Sequence, residues 1–340
     1  MLNILLIILV FGVLIFIHEF GHFITARLCG VSVKEFAVGM GPTVFSWHSK
    51  KYGTKYGLRL LPIGGFVSMV GEDEESEDEN AFCNKSIWKR MLIVSAGPSM
   101  NLLLGFVLMT VLVFSQGTLA STTIAQFEPD SISQQQLQVG DEILKVDGTR
   151  VHTGNELVYE IMNQGYEPID LQIRRNGEVL TLEDVSFPTM EDSGASFGDY
   201  DFLLYAEETN LPNLLKHAFF RSVSTVKMVL DSLIGLLSGR FGMEAVSGPV
   251  GVTKVVGDAA RVGFMNFLYI VTVLTINLGV FNLIPFPALD GGRFLFLIIE
   301  GIRRKPINRN VEAYINFVGI VILFAFMIFV TIKDIFHLFS

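Results

Sequence analysis

The sequence predicts a polytopic α-helical membrane protein, with four transmembrane helices and a β-rich domain inserted between the second and the third. Three observations carry this. Half of the 340 residues are hydrophobic and only 17% are charged, against roughly 25% charged in ordinary soluble domains. Four stretches, approximately 2–26, 92–115, 264–289 and 313–332, are apolar over the length that a helix needs to cross the hydrocarbon of a bilayer, about 20 residues for ~30 Å. Between the second and third of them, residues 120–187 alternate short apolar strands with turn signals.

The first element, 1–28, opens with an uncharged run and then reads "FIHEFGHFI" at 16–24. A span that carries three ionisable groups in five residues bears a cost in lipid that only a function repays. The loop that follows, 29–91, contains the acidic run "EDEESEDE" (72–79), read as a solvated loop. Its two cysteines, Cys29 and Cys83, have no metal-site spacing and form no disulfide framework. Lys89 and Arg90 lie against the second span, and Arg293, Arg303, Arg304, Lys305 and Arg309 crowd the loop 291–310. By the positive-inside rule both loops are cytoplasmic, which places 116–261 and both termini on the far side.

Within the inserted region, "VGDEILKVDGTRV" (139–151) is an apolar strand between Gly-Asp and Asp-Gly turns. "PIDLQIRRNGEVLTLEDV" (168–185) is a hairpin with Asn176-Gly177 at its tip. Leu137, Gly140, Asp141, Ile143, Val146 and Gly148 follow the spacing of a signature found in PDZ domains of bacterial envelope proteases, which 120–187 resembles. Such domains take an extended peptide or chain end onto a sheet edge. Residues 210–261 are expected to form an amphipathic surface-helix region on the bilayer, because charges recur too often in "NLLKHAFFRSVSTVKMVLDSLIGLLSG" (213–239) for a span. A helix packed on the soluble domain is the other reading.

The chemistry begins with His18 and His22, four residues apart and so on one face of a helix. Two imidazoles so placed can hold one Zn²⁺, with Glu19 in reach of a metal-bound water as general base. A catalytic zinc wants a third protein ligand and an open position. Residues 262–289 carry no charge after Arg261, and the first ionisable group after them is Asp290, in "NLIPFPALDGGR" (282–293). The first and third spans run in the same direction, so Asp290 reaches the depth of the histidine pair. Pro285 and Pro287 must break the helix there, which a membrane tolerates where the backbone lines a cavity.

With "HEFGH" in a first span, a PDZ-like insert, and "NLIPFPALDGG" in a late span, the chain resembles the site-2 protease family of intramembrane metalloproteases. "GTKYGLRLLPIGGFVSMVGED" (53–73) is similar to that family's membrane-dipping β-hairpin loop, with Gly64 and Gly65 as its turn. "NKSIWKRMLIVSAGPSMN" (84–101) and "SGPVGVTKV" (247–255) are similar to its second-span start and its stretch before the third span. One PDZ-like domain stands where the best-known relatives carry two. The resemblance implies one zinc per chain held by His18, His22 and Asp290, with Glu19 as catalytic acid/base. It implies that Asn282, with the broken helix at Pro285 and Pro287, positions the substrate backbone. Asn101 matches a family asparagine, and reads equally as an interhelical hydrogen bond. The expected activity is cleavage of single-span membrane proteins, such as a pre-trimmed anti-sigma factor, in a bacterial cytoplasmic (inner) membrane. The lipid bilayer is a partner, and nucleic acid is not. A non-catalytic PDZ scaffold would carry a degenerate metal motif, and a transporter would string more polar groups along its spans.

Overall fold

The computed structural model describes residues 2–339 except 73 and 193, with side chains over 5–336 apart from 61–63 and those two positions. Two compact units share the chain, Met1–Gly105 with Ser247–Ser340, and Phe106–Val246. In chain order, α1 (Leu2–Leu28), β1 (Val33–His48), β2 (Lys55–Met69) and α2 (Ile87–Gln116) come first. A run of short elements follows: β3 (Leu119–Phe127), β4 (Glu142–Val146), β5 (Thr149–Arg150), α3 (Gly154–Gln164), β6 (Ile169–Arg175), β7 (Glu178–Val185), β8 (Thr189–Asp192), β9 (Ala195–Gly198) and β10 (Phe202–Glu207). The chain closes with α4 (Leu211–Ser238), α5 (Pro249–Val262), α6 (Phe264–Leu283), α7 (Asp290–Arg303) and α8 (Arg309–Phe339).

Among the described residues, four helical stretches are long and apolar enough to cross a membrane: Leu5–Leu28, Ile87–Gln116, Phe264–Leu283 and Arg309–Phe336. The shortest has 20 residues, and at about 1.5 Å per residue it spans ~30 Å. Their outer faces carry residues such as Leu9 at 66% and Phe324 at 56% exposed. Contiguous apolar surface of that kind is covered by lipid in a membrane protein and would drive aggregation in water. The third span is shorter than the sequence reading of 264–289, because α6 ends at Leu283 and residues 284–289 are not helical. Pro285 lacks an N–H and disfavours helical geometry at Ile284, whose ψ is 136°.

Between the first two spans, residues 33–38 pair antiparallel with 65–69, and 43–48 with 55–59. The tip of the hairpin is therefore the turn at 49–54, not Gly64-Gly65 as expected from sequence. Gly64 sits inside β2 with φ of +85°, where the strand bends between its two pairings. The paired segment begins at Val33, well before the 53–73 that sequence marked. The signal was missed because β1, "VKEFAVGMGPTVFSWH", is interrupted by glycines and a proline that read as loop.

The second unit is built on a sheet of order β10-β3-β4-β6-β7, with β5 on β4. Alternate residues of these strands, with Leu157 and Ile161 of α3, close a core around Ile124, Ile143, Leu171, Ile173 and Phe202. The domain runs past the expected boundary of 187: β8 and β9 form a hairpin, and β10 is an edge strand paired along β3, Phe202 opposite Phe127 and Glu207 opposite Leu119. The expected surface-helix region 210–261 is two helices in different units. Gly239, left-handed at φ 79°, ends α4, and Pro249 starts α5. The charges of α4 are accounted for by packing: Tyr159 donates to Asp231 (2.7 Å), Lys227 pairs with Glu160, and His152 stacks on Phe220 at 4.0 Å.

Candidate metal centre

Polar side chains converge where α1, α2 and the start of α7 meet. His18 and His22 lie one helical turn apart on α1, and α2 supplies their surroundings at residues 93, 97 and 101, one stripe of that helix. The Ile93 carbonyl accepts from Nδ1 of His22 at 2.8 Å. Asn101 Nδ2 lies 3.2 Å from Nδ1 of His18. Gly97 makes room for the ring, since a Cβ there would stand 2.2 Å from His22 Nε2. Gly21 likewise lets α1 press against Ala96 of α2.

The third side chain arrives through the break after α6. Ala288 adopts a left-handed conformation, φ 74°, and its N–H donates to Oδ1 of Asn316 on α8 at 3.1 Å. Two residues later α7 begins at Asp290. Gly291 and Gly292 allow the helix to fold back on the turn, because a Cβ at either would come within 2.1 Å of Ile284 O or 2.3 Å of Phe286 O. The sequence Ala-Leu-Asp-Gly-Gly is thus a device that delivers one carboxylate to a fixed place.

That place is beside the imidazoles. His18 Nε2 lies 3.2 Å from His22 Nε2, and Asp290 Oδ2 lies 3.0 Å and 3.3 Å from the two. Asp290 Oδ2 is buried and accepts no hydrogen bond from any described protein group. When both imidazoles carry their proton on Nδ1, three lone-pair atoms face one point. Two ligands ~2.1 Å from a tetrahedral zinc stand roughly 3.4 Å apart, so the triangle, slightly tighter than that, fits such an ion. With Nδ1 of His22 donating to a carbonyl, Nε2 is left free to bind.

Glu19 lines the same pocket, a cavity of about 210 Å³, large enough to admit water. Phe66, Val67 and Met69 of β2 form one wall. Arg293, which pairs with Glu72, stands between this pocket and a cavity of about 890 Å³ that shares Glu72, Val94 and Arg293 with it. Of the residues marked for substrate binding, Gly65 lies beside Glu19, 3.2 Å from its Cγ to the position of a Cβ. Asn282 donates to Leu278 O of its own helix at 2.9 Å. None of Asn282, Pro285, Pro287, Gly64 and Gly65 is among the residues lining the pocket. Sequence reasoning gave no role at the site to Gly97, Asn316, Glu72 or Arg293, although Gly97, Glu72 and Arg293 lay in motif stretches that had already drawn notice; only Asn316 lay outside them.

A membrane helix bundle with two imidazoles, a carboxylate and an adjacent glutamate defines a membrane metallopeptidase class of site. The model of Peptidase family M50 matches residues 6–326, and the chain belongs to this family, the site-2 proteases. It is 38% identical over 329 residues to a protein of Clostridium perfringens named as a zinc metalloprotease, covering 96% of each chain. It is 33% identical over 343 residues to a protein of the same description from Fusobacterium nucleatum, covering 99% of each. The regulator of sigma-W protease RasP of Bacillus subtilis is 29% identical, with 98% of each chain covered.

Proposed function

We propose that this multi-pass protein of the bacterial inner membrane is a zinc endopeptidase that hydrolyses peptide bonds within transmembrane segments of single-span membrane proteins. The metalloprotease class follows from family membership. The observation that carries the finer reading is the convergence of His18, His22 and Asp290 beside Glu19 among helices long enough to span lipid. These three residues would hold the Zn²⁺. Bound there, zinc would acidify a water molecule and polarise the scissile carbonyl. Glu19 takes a proton from the attacking water and hands it to the departing nitrogen. The charge bias of the loops supports an active site near the cytoplasmic side and an extracytoplasmic β-rich domain.

A helical substrate hides its amides in its own hydrogen bonds, so the segment to be cut must unwind and find new partners in an environment without water. Residues 65–69 pair on one side with 33–38, and Phe66, Val67 and Met69 among them form a wall of the Glu19 pocket. In this reading they take the unwound segment as an added strand, with the membrane-dipping hairpin as the platform. The inserted domain acts as a PDZ domain, engaging extended peptides or chain ends outside, where it screens substrates. An intact ligand set argues against a scaffold that has lost its chemistry.

The deciding experiment compares wild type with Glu19→Gln on a tagged single-span substrate. Wild type should yield a shorter product and Glu19→Gln should yield none while keeping its zinc. Product from both would remove Glu19 from its role.

A further inference from the structure

A histidine that binds a cation through Nε2 must carry its proton on Nδ1, and that N–H then needs an acceptor. His22 has one in the Ile93 carbonyl. For His18, the one side chain described at hydrogen-bond distance from Nδ1 is Asn101, fully buried on α2, with its Nδ2 at 3.2 Å. Two donors would then face each other, while Oδ1 of the same amide is buried without a partner among the described residues. A buried carbonyl oxygen left unsatisfied costs about 1–3 kcal/mol. Turning the carboxamide over leaves its outline unchanged and resolves both faults at once: Oδ1 gains a donor and His18 gains an acceptor.

Resting on the zinc reading, we propose that Asn101 is a positioning residue for the metal centre. Its Oδ1 accepts from Nδ1–H of His18, which fixes the tautomer and ring plane and directs the Nε2 lone pair toward His22 and Asp290. The two imidazoles are thereby held by one helix through different groups, a main-chain carbonyl at 93 and a side-chain carbonyl at 101. An interhelical hydrogen bond with no part in the metal site would affect the stability of the α1–α2 pair and leave the metal alone.

The test measures zinc affinity rather than turnover. Full-length protein in detergent micelles is titrated with Zn²⁺ against a chromophoric chelator for wild type, Asn101→Leu and Asn101→Asp. Loss of a partner of this kind weakens metal binding about 10–100-fold, and that is the loss expected for Asn101→Leu. Asn101→Asp keeps an acceptor in place and should stay within about threefold of wild type. Affinity of Asn101→Leu within threefold of wild type overturns the proposal, as does an Asn101→Asp value as weak as that of Asn101→Leu. If Asn101→Leu does not fold, Asn101→Asp decides alone, retention supporting the role and loss refuting it. Failure of wild type to take up zinc would instead defeat the metal reading itself.

Discussion

Buried carboxylates occur in both units, and they are treated in opposite ways. In the β-rich unit, Asp141 is 1% exposed and receives Nε and Nη2 of Arg175 at 2.8 and 2.7 Å and the N–H of Gln138 at 2.8 Å. Asp201, also buried, receives the N–H groups of Ile132 and Ser133 and the Ser133 hydroxyl. Both are saturated by protein donors. In the helical unit, Asp290 Oδ2 is buried and, among the described residues, has only the two imidazole nitrogens of His18 and His22 beside it, with no main-chain N–H, hydroxyl or guanidinium donor. Satisfied burial holds a fold together, whereas unsatisfied burial is a cost that calls for a reason, which the proposed function supplies as a cation. The signature Gly-Asp of the inserted domain and the Leu-Asp-Gly-Gly of the last bend look alike in sequence, but one aspartate is held by protein donors and the other is, in the proposed function, left for a metal.

The comparison is broken most severely at the carboxylates themselves. Asp290→Asn should abolish zinc uptake and proteolysis while leaving the fold of the apo protein intact, because the carboxylate is met only by the two imidazoles of the site and ties no other part of the fold. Zinc content by mass spectrometry and protection from exogenous protease measure the two. Asp141→Ala should do the reverse. Arg175 keeps Gln136 O but loses its charged partner, and the Gln138 N–H loses its acceptor, at a cost of about 1–3 kcal/mol, so amide exchange over 139–185 should accelerate by about 5–150-fold, with the zinc site occupied. If Asp141→Ala loses zinc as readily as stability, or Asp290→Asn unfolds, the division between the two roles is wrong. Glu19→Gln refines the point from within the site, with a fall in turnover of about 10²–10⁴-fold at unchanged metal content.

The legibility of the chain follows the same division. The spans, the histidine pair and Asp290 could be read because each depends on a local contrast: long apolar runs, and charges where lipid forbids them. The inserted domain was read through its turns and its hairpin, and was cut short at 187 because β10, "FLLYAE", follows a loop with no hairpin signal and pairs with a strand about eighty residues earlier. Long-range pairing leaves no periodicity of its own. Asn316 was invisible for the same reason, since its partner is the Ala288 N–H, a main-chain group with no sequence identity. The packing of α4 was half legible, because its charges recorded that it was no span without revealing that α3 answers them.

A milder probe addresses the wall of the pocket. Val67 pairs with Phe36 inside β2 and lines the Glu19 cavity. Val67→Pro fixes φ and deletes an N–H in the strand proposed to receive substrate. Cleavage should drop about tenfold or more, by the few kcal/mol that such a loss costs, with zinc retained. Unchanged turnover would count against strand addition at this edge.

The smallest effect lies at the root of α4 and depends on pH. Burial alone would raise the Glu207 carboxyl, yet hydrogen bonds from Lys216 and His217, with their charges, hold it below the usual carboxylate range. Burial lowers the His217 imidazole, and Glu207 offsets that only in part. Both groups therefore bind protons more readily in the unfolded chain than in the folded one. Their contribution is complete above the ordinary histidine value of about 6.5. It fades first as His217 resists the proton that the unfolded chain accepts, and further as pH falls through the lowered value of Glu207. Amide protection over 211–220, corrected for intrinsic exchange, should fall a few-fold between about pH 7.5 and pH 5. Glu207→Gln should flatten the acid limb of that profile, and His217→Gln the limb near neutrality. A profile unchanged by either substitution would show that packing alone holds this end of α4 to the domain.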